Sequence, residues 1–292
     1  MKILVATDGS PEAAGACRFL RALPLPAGTL FHIVSAVHVP VGMVGHPAPW
    51  QTIEVLFEQQ EAWAEKAVRE AQQFLAREGM SFETYIPRGD PAPQILQVAD
   101  TREVDLVVVG AHGLTGPRSF LGSVARSVVK RCRLPVLIAR EPKHQVRTVV
   151  AATDGSAHAR HALRFLSRLP LPADAQIIAT HVMHPQPGYH GLLPGRYEEF
   201  QKAAEALSQK QAERGTELLV SAETALAESG RMVLREIRTG DPASEILRVA
   251  EERNADLIVA GARGVSLLEG FLMGSVADRL VKQAPCSVLI VH

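Results

Sequence analysis

Ala6-Thr7-Asp8-Gly9-Ser10 returns later in the chain as Ala152-Thr153-Asp154-Gly155-Ser156, and Leu23-Pro24-Leu25-Pro26-Ala27 returns at the same spacing as Leu169-Pro170-Leu171-Pro172-Ala173. Working outward, Gly89-Asp90-Pro91-Ala92 matches Gly240-Asp241-Pro242-Ala243, and Gly110 with Gly113 matches Gly261 with Gly264. Gly122-Ser123-Val124-Ala125 then matches Gly274-Ser275-Val276-Ala277, and Val136-Leu137-Ile138 matches Val288-Leu289-Ile290. The landmarks keep their order throughout. A period this long exceeds the roughly 20 to 50 residues of solenoid repeats and marks a duplicated domain. The reading divides the 292 residues into a first domain at 1–140, a polar linker at 141–146 and a second domain at 147–292. That length suits two cores of ordinary size, each half expected to fold by itself.

Within each copy, short apolar runs alternate with amphipathic stretches. Ile3 to Ala6 and Val149 to Ala152 are rich in β-branched residues and close on Asp-Gly-Ser, which predicts strands. Ser10-Pro11-Glu12 predicts a helix start, because Ser caps free amides, Pro suits the first helical position and Glu complements the dipole. Strands are expected at Leu30 to Val37 and Gln176 to Met183, each running into a Pro/Gly/His-rich loop, Val39 to Pro49 and His184 to Gly195. Long helices follow over Gln51 to Arg77 and Tyr197 to Ser229. Strands near Phe82 to Ile86 and Met232 to Ile237 lead to helices begun by Asp90-Pro91 and Asp241-Pro242. Leu106 to Gly110 and Leu257 to Gly261 are apolar without alternation, as in strands covered on both faces. Alternating strands and helices predict a doubly wound parallel sheet in each copy, five strands flanked by helices.

Thirty-one basic residues balance 31 acidic ones, so no net charge draws the surface as a whole to nucleic acid or to an anionic membrane. The three cysteines, Cys17, Cys132 and Cys286, fit neither a zinc spacing nor a disulfide framework and read as buried small hydrophobes. The opening apolar run is too short for a signal peptide, and no stretch approaches the roughly 18 apolar residues of a membrane helix, so a soluble, cytoplasmic protein is expected. His38, His46, His181, His184 and His190 gather in or beside two loops at irregular spacing; the reading assigns them to solvated loops and expects no metal.

In doubly wound sheets, ligands bind where strand carboxyl ends meet the following loops. Two segments converge there in each copy: the Asp8 or Asp154 turn, and the glycine-bearing loop after the fourth strand. In the second copy this loop runs Gly261-Ala262-Arg263-Gly264, nine residues, then Gly274-Ser275-Val276. Glycine at the strand end permits a sharp turn and close approach of a ligand, and the helix opened by Gly274 offers free amides and a positive dipole end to phosphate. Arg263, and Arg118 in the first copy, stand within the loops. In the first copy Gly110, Gly113, Gly122, Ser123 and Val124 are all present, but eight residues, Leu114 to Leu121, replace the nine.

The constellation resembles the universal stress protein family in its tandem form, over nearly the whole chain. ATP-binding members of that family carry G-x2-G-x9-G-(S/T), and Gly261, Gly264, Gly274 and Ser275 match it without change. The resemblance implies the adenine nucleotide alpha hydrolase-like fold, and ATP as the ligand, with Mg2+ as its companion ion. It implies that Asp8 and Asp154 face the nucleoside, joined by Thr7 and Thr153, and that the backbone at Ala36 and Val182 reads adenine. It implies pairing of the copies through their last strands, Val136 to Ala139 and Val288 to Val291. A dimer of chains stays open, as does the protein partner of a stress-response module.

A dinucleotide fold needs G-x-G-x-x-G after its first strand, and a P-loop needs a lysine after its glycines; neither copy has either. Two functional classes remain: a nucleotide-dependent sensor or regulatory module without catalytic residues, and a slow ATPase or nucleotidyl-transfer enzyme using the same pocket.

Overall fold

The computed structural model describes residues 1–38, 50–113, 121–142, 144–184, 197–264 and 273–292. The first copy runs β1 (Lys2–Ala6), α1 (Pro11–Arg21), β2 (Leu30–Val34), α2 (Trp50–Leu75), β3 (Ser81–Tyr85), α3 (Pro91–Arg102), β4 (Leu106–Gly110), α4 (Ser123–Arg131) and β5 (Val136–Ala139). The second repeats the order as β6 (Thr148–Ala152), α5 (Ala157–Arg168), β7 (Gln176–Met183), α6 (Tyr197–Leu226), β8 (Val233–Thr239), α7 (Pro242–Glu252), β9 (Leu257–Gly261), α8 (Ser275–Gln283) and β10 (Ser287–Val291). A 3-10 turn, Ala227–Ser229, ends α6, and Gly230 closes it in the left-handed region at φ +66°.

Ten strands form one sheet in the order β3-β2-β1-β4-β5-β10-β9-β6-β7-β8. Within each copy all pairs are parallel. The copies join where β10 meets β5 antiparallel, with Leu289 opposite Leu137, the strand pairing that the family resemblance implies.

The expectation of two independent cores needs correction. The apolar residues form two clusters, each crossing both copies, one on each face of the sheet. One joins Val5, Phe19 and Phe31 to Val149, Leu166 and Ile177, under α1, α2, α5 and α6. The other joins Leu4, Val107 and Val128 to Val150, Ile258 and Leu280, under α3, α4, α7 and α8. Strands buried on both faces have no side left for solvent, so once β5 and β10 pair, each layer of helices continues across the seam. The linker packs as well: Glu141 backbone lies 3.3 Å from where a Cβ on Gly15 would stand, and Glu141 pairs with Arg18 at 2.7 Å.

Most local signals act as read. Ser10 and Ser156 accept from the amides of Ala13 and Ala159, each at 3.1 Å, capping α1 and α5. Asp241 caps α7 through the Ser244 amide at 3.1 Å. Asp90 departs from that reading: its side chain makes no cap bond and meets His38 at 3.1 Å. The repeated Leu-Pro-Leu-Pro turn is fastened from outside, by Arg77 on the Leu23 carbonyl at 3.3 Å and by Arg231 on the carbonyls of Leu171 and Pro172. All three cysteines are free and buried. Among the described residues no helix is long and apolar enough to cross a membrane.

Candidate functional site

The turn after the first strand of each copy is built the same way twice. Gly9 and Gly155 adopt φ +75° and +77°, a region open to glycine at little cost. That bend lets Asp8 Oδ1 accept the Ser10 amide at 3.0 Å and Asp154 Oδ1 accept the Ser156 amide at 2.9 Å. Thr7 and Thr153, both buried, accept the amides of Gly9 and Gly155 on their hydroxyls at 3.3 and 3.4 Å. With one carboxylate oxygen so engaged, the other turns to the glycine loop. A Cβ on Gly113 would stand 2.7 Å from Asp8 Oδ2, and one on Gly264 would stand 2.6 Å from Asp154 Oδ2. Aspartate and loop share this space because residues 113 and 264 carry no side chain.

Gly110 and Gly261 are glycine for a reason other than the one read from sequence. A Cβ on Gly110 would stand 3.0 Å from the Glu12 carbonyl carbon, and one on Gly261 2.6 Å from that of His158. The vacant volume beside these strand ends is taken by the first turn of α1 or α5, so helix packing rather than ligand approach demands glycine there.

Gly122 and Gly274 close the loops, their amides donating to the carbonyls of Ala111 at 2.8 Å and Ala262 at 2.7 Å. Both act as N-caps without a side-chain cap bond. The amides that open α4 and α8, at Ser123-Val124 and Ser275-Val276, therefore stand at helix starts that glycine leaves uncapped, unlike the serine-capped α1 and α5. Ser123 and Ser275 are exposed. Arg263 is also exposed, and its carbonyl accepts the Ser156 hydroxyl at 3.2 Å, which ties the aspartate turn to the loop. Residues 114–120 and 265–272, with Pro117 and Arg118, lie outside the described residues, as do the loop read at Val39 to Pro49, with His46, and all but His184 of the loop read at His184 to Gly195, with His190.

Ala36 and Val182 are placed by strand alternation. Thr7 donates to the Val34 carbonyl and Thr153 to the Thr180 carbonyl, each at 2.9 Å, so residues 34 and 180 direct their backbone groups toward the first strand of their copy. Ser35 and Val37 donate the other way, to Tyr85 and Pro87, and the Met183 carbonyl accepts from Gly240. By the two-residue period, Ala36 and Val182 face the side that β1 and β6 have already left at Ala6 and Ala152. β2 ends at Val34, short of the expected Val37, with one isolated bridge from Val37 to Arg88; β7 runs on to Met183 and holds Val182 within a strand.

Trp63, on α2, donates its indole N–H to the Asp8 carbonyl at 2.9 Å and is 45% exposed. In the second copy Leu218 fills the matching space under Gly155, and Arg160 donates to the Gly155 carbonyl. No sequence signal marks Trp63 or Leu218, because the turns they meet lie far away in the chain.

Charge differs between the copies. Beside the first loop, Arg140 lies 3.4 Å from His112 Nε2 and donates its backbone amide to Ser287 at 3.0 Å. Beside the second stand His158, Arg263 and His292. Burial lowers His158, aided by Arg263 and His161 and opposed by Asp154. Burial, with His158 and Arg263 nearby, pushes His292 down to about 4 against the Val129 carbonyl, which favours its protonated form. His181 meets the Thr153 carbonyl at 2.9 Å.

Two parallel α/β copies, each bringing a first-strand carboxylate and a fourth-strand glycine loop together beside a helix start, define the adenine nucleotide alpha hydrolase-like class in tandem form. The universal stress protein family model matches residues 1–140 and again 145–292, and the chain belongs to that family. A universal stress protein of Methanocaldococcus jannaschii is 34% identical over 154 residues, 53% of this chain and 86% of that protein. One from Thermus aquaticus is 32% identical over 146 residues, 50% of this chain and 98% of its own. The crystal structure of a universal stress protein from Archaeoglobus fulgidus matches 99% of this chain and 97% of its own at a TM-score of 0.65 and 19% identity, a likeness of fold across both copies.

Proposed function

We propose that each copy binds an adenine nucleotide, ATP with Mg2+ in the first instance, and that the chain works as a nucleotide-dependent regulatory module of the stress response. The observation that carries this reading is the meeting of Asp8 with Gly113 and of Asp154 with Gly264, each at under 3 Å to a Cβ that is not there, beside the uncapped starts of α4 and α8. In this reading the Asp8 and Asp154 carboxylates accept from ribose hydroxyls. The backbone of Ala36 and Val182 reads the adenine edge, and the amides of Ser123-Val124 and Ser275-Val276 take phosphate oxygens, where helix dipole and free N–H groups favour anions. Arg263 stands within the same loop to add charge.

A regulatory role without turnover is favoured because neither glycine loop carries the lysine of a P-loop and because, among the described residues, the groups assigned to the site are backbone amides, a carboxylate and Arg263, which hold and orient a nucleotide. Denaturing the purified chain and counting the nucleotides it releases tests binding: adenine nucleotide at up to two per chain supports it, and a ligand-free chain that also takes up none on dialysis against ATP and magnesium defeats it. Multiple turnovers of ATP that vanish in Asp154→Ala would move the assignment to a slow ATPase.

A further inference from the structure

Three basic side chains gather by backbone geometry where β9 hands over to the second glycine loop. The Ala262 amide donates to the Val291 carbonyl at 2.7 Å, which seats His292 beside Ala262 and Arg263. His158, in the first turn of α5, lies so near that a Cβ on Gly261 would stand 2.8 Å from the His158 Cβ. Arg263 follows two residues later, its carbonyl fixed by Ser156. His292 has its Nε2 buried with no hydrogen-bond partner among the described residues. Burial, joined by Arg263 and His161 at His158 and by His158 and Arg263 at His292, holds both rings below the ordinary histidine value and favours their neutral forms before a ligand arrives.

The charged and titratable groups acting on this pair are Arg263 from the loop, His161 from α5 and Asp154 from the β6 turn. On α8, Asp278 is engaged by Lys282, and Lys130 of the first copy stands 3.9 Å from it. A phosphate chain drawn to Arg263 and to the start of α8 would set negative charge against the two imidazoles and reverse the field they feel. Resting on the reading that Arg263 and the amides opening α8 at Ser275-Val276 receive phosphate, we propose that the second copy binds its polyanionic ligand together with a proton from solvent, taken up by the His158 and His292 pair, so that binding strengthens as pH falls. The first copy has Glu12, His112 and Arg140 at the corresponding places, and Arg140 is a permanent cation.

Calorimetric titration of the intact chain tests this, with ATP and separately with tripolyphosphate, in buffers of different ionisation heat so that protons exchanged can be counted. The chain should take up more proton than the ligand itself carries. His158→Gln with His292→Gln should remove that excess, whereas His112→Asn in the first copy should leave it. One proton gained corresponds to about a tenfold gain in affinity per pH unit, so the second site should tighten about threefold to tenfold from pH 7.5 to 6.5, and stay flat in the double variant. Should His292→Gln lower the melting temperature, His158→Gln alone, on a partly exposed helix turn, should still remove part of the excess. An excess that survives both histidine substitutions, or that moves with His112 instead, overturns the proposal. ATP binding with no excess overturns it and leaves the nucleotide reading intact. Tripolyphosphate binding with the excess while ATP fails to bind supports the proton coupling and overturns the nucleotide reading; failure of both ligands overturns both.

Discussion

Replacing Gly264 by alanine places one methyl group at the join between the aspartate turn and the glycine loop. The added Cβ would stand 2.6 Å from Asp154 Oδ2, whereas carbon contacts settle near 3.5 Å, so carboxylate and loop must separate by about 0.8 to 0.9 Å. The carboxylate has little freedom to retreat, because its other oxygen holds the Ser156 amide at 2.9 Å, and Ser156 in turn caps α5 and holds the Arg263 carbonyl. Breaking a hydrogen bond to a charged group costs about 1.5 to 3 kcal/mol. Moving the loop instead misplaces the phosphate amides. We expect a loss of about 1 to 3 kcal/mol in urea unfolding and of more than about tenfold in nucleotide affinity at the second site. Gly274→Ala is the control: its Cβ meets Ala262 O at 3.4 Å, an ordinary contact, and its φ of −76° suits alanine, so the fold should lose less than about 1 kcal/mol. Parent-like melting and binding by Gly264→Ala, or greater damage from Gly274→Ala, would refute the reasoning.

Gly261→Ala sets a Cβ 2.6 Å from helix backbone that cannot swing aside, whereas in Gly110→Ala the distance is 3.0 Å; paired denaturation curves should show the second-copy variant losing more stability, about 2 kcal/mol or above. His32, buried in β2 where the second copy has Ile178, has its pKa lowered by burial, with Glu83 opposing and Arg102 and Lys2 assisting. Its neutral form is the folded one, so the unfolded chain gains a proton first as pH drops below about 6.5 and stability falls from there toward the lowered folded value. The urea midpoint should decline over that window, and His32→Ile should flatten the decline. Burial pushes the Cys17 thiol up to about 11 and the Cys286 thiol up to about 12 and also raises Cys132; a thiol reagent at pH 7.5 should find almost none of the three in the native chain and all three after denaturation.

Strands, helices and their order were readable because each element carries its own period and punctuation, and the duplication showed every signal twice. Boundaries shifted where tertiary partners run out: β2 stops at Val34, where its outer neighbour β3 ends at Tyr85, whereas β7 runs on past the end of β6 to Met183 beside the longer β8. The aspartate turn and the loop could be named from Asp8, Asp154 and their glycines, yet the duties of those glycines could not be separated. Gly113 and Gly264 make room for a carboxylate, and Gly110 and Gly261 make room for a helix; the difference lies in what stands a few ångströms away. The same limit hid Trp63, whose partner is a carbonyl 55 positions distant, and the shared cores, which follow from the β5 and β10 pairing rather than from either half.

That antiparallel pairing also sets the two copies head to foot. Because the strands of one copy run against those of the other, the rim bearing Asp8 and the rim bearing Asp154 look in opposite directions, like the two faces of a coin standing on its edge. A rigid body pressed flat against one rim leaves the other open, so under the proposed reading the two sites would be approached from opposite ends of the sheet.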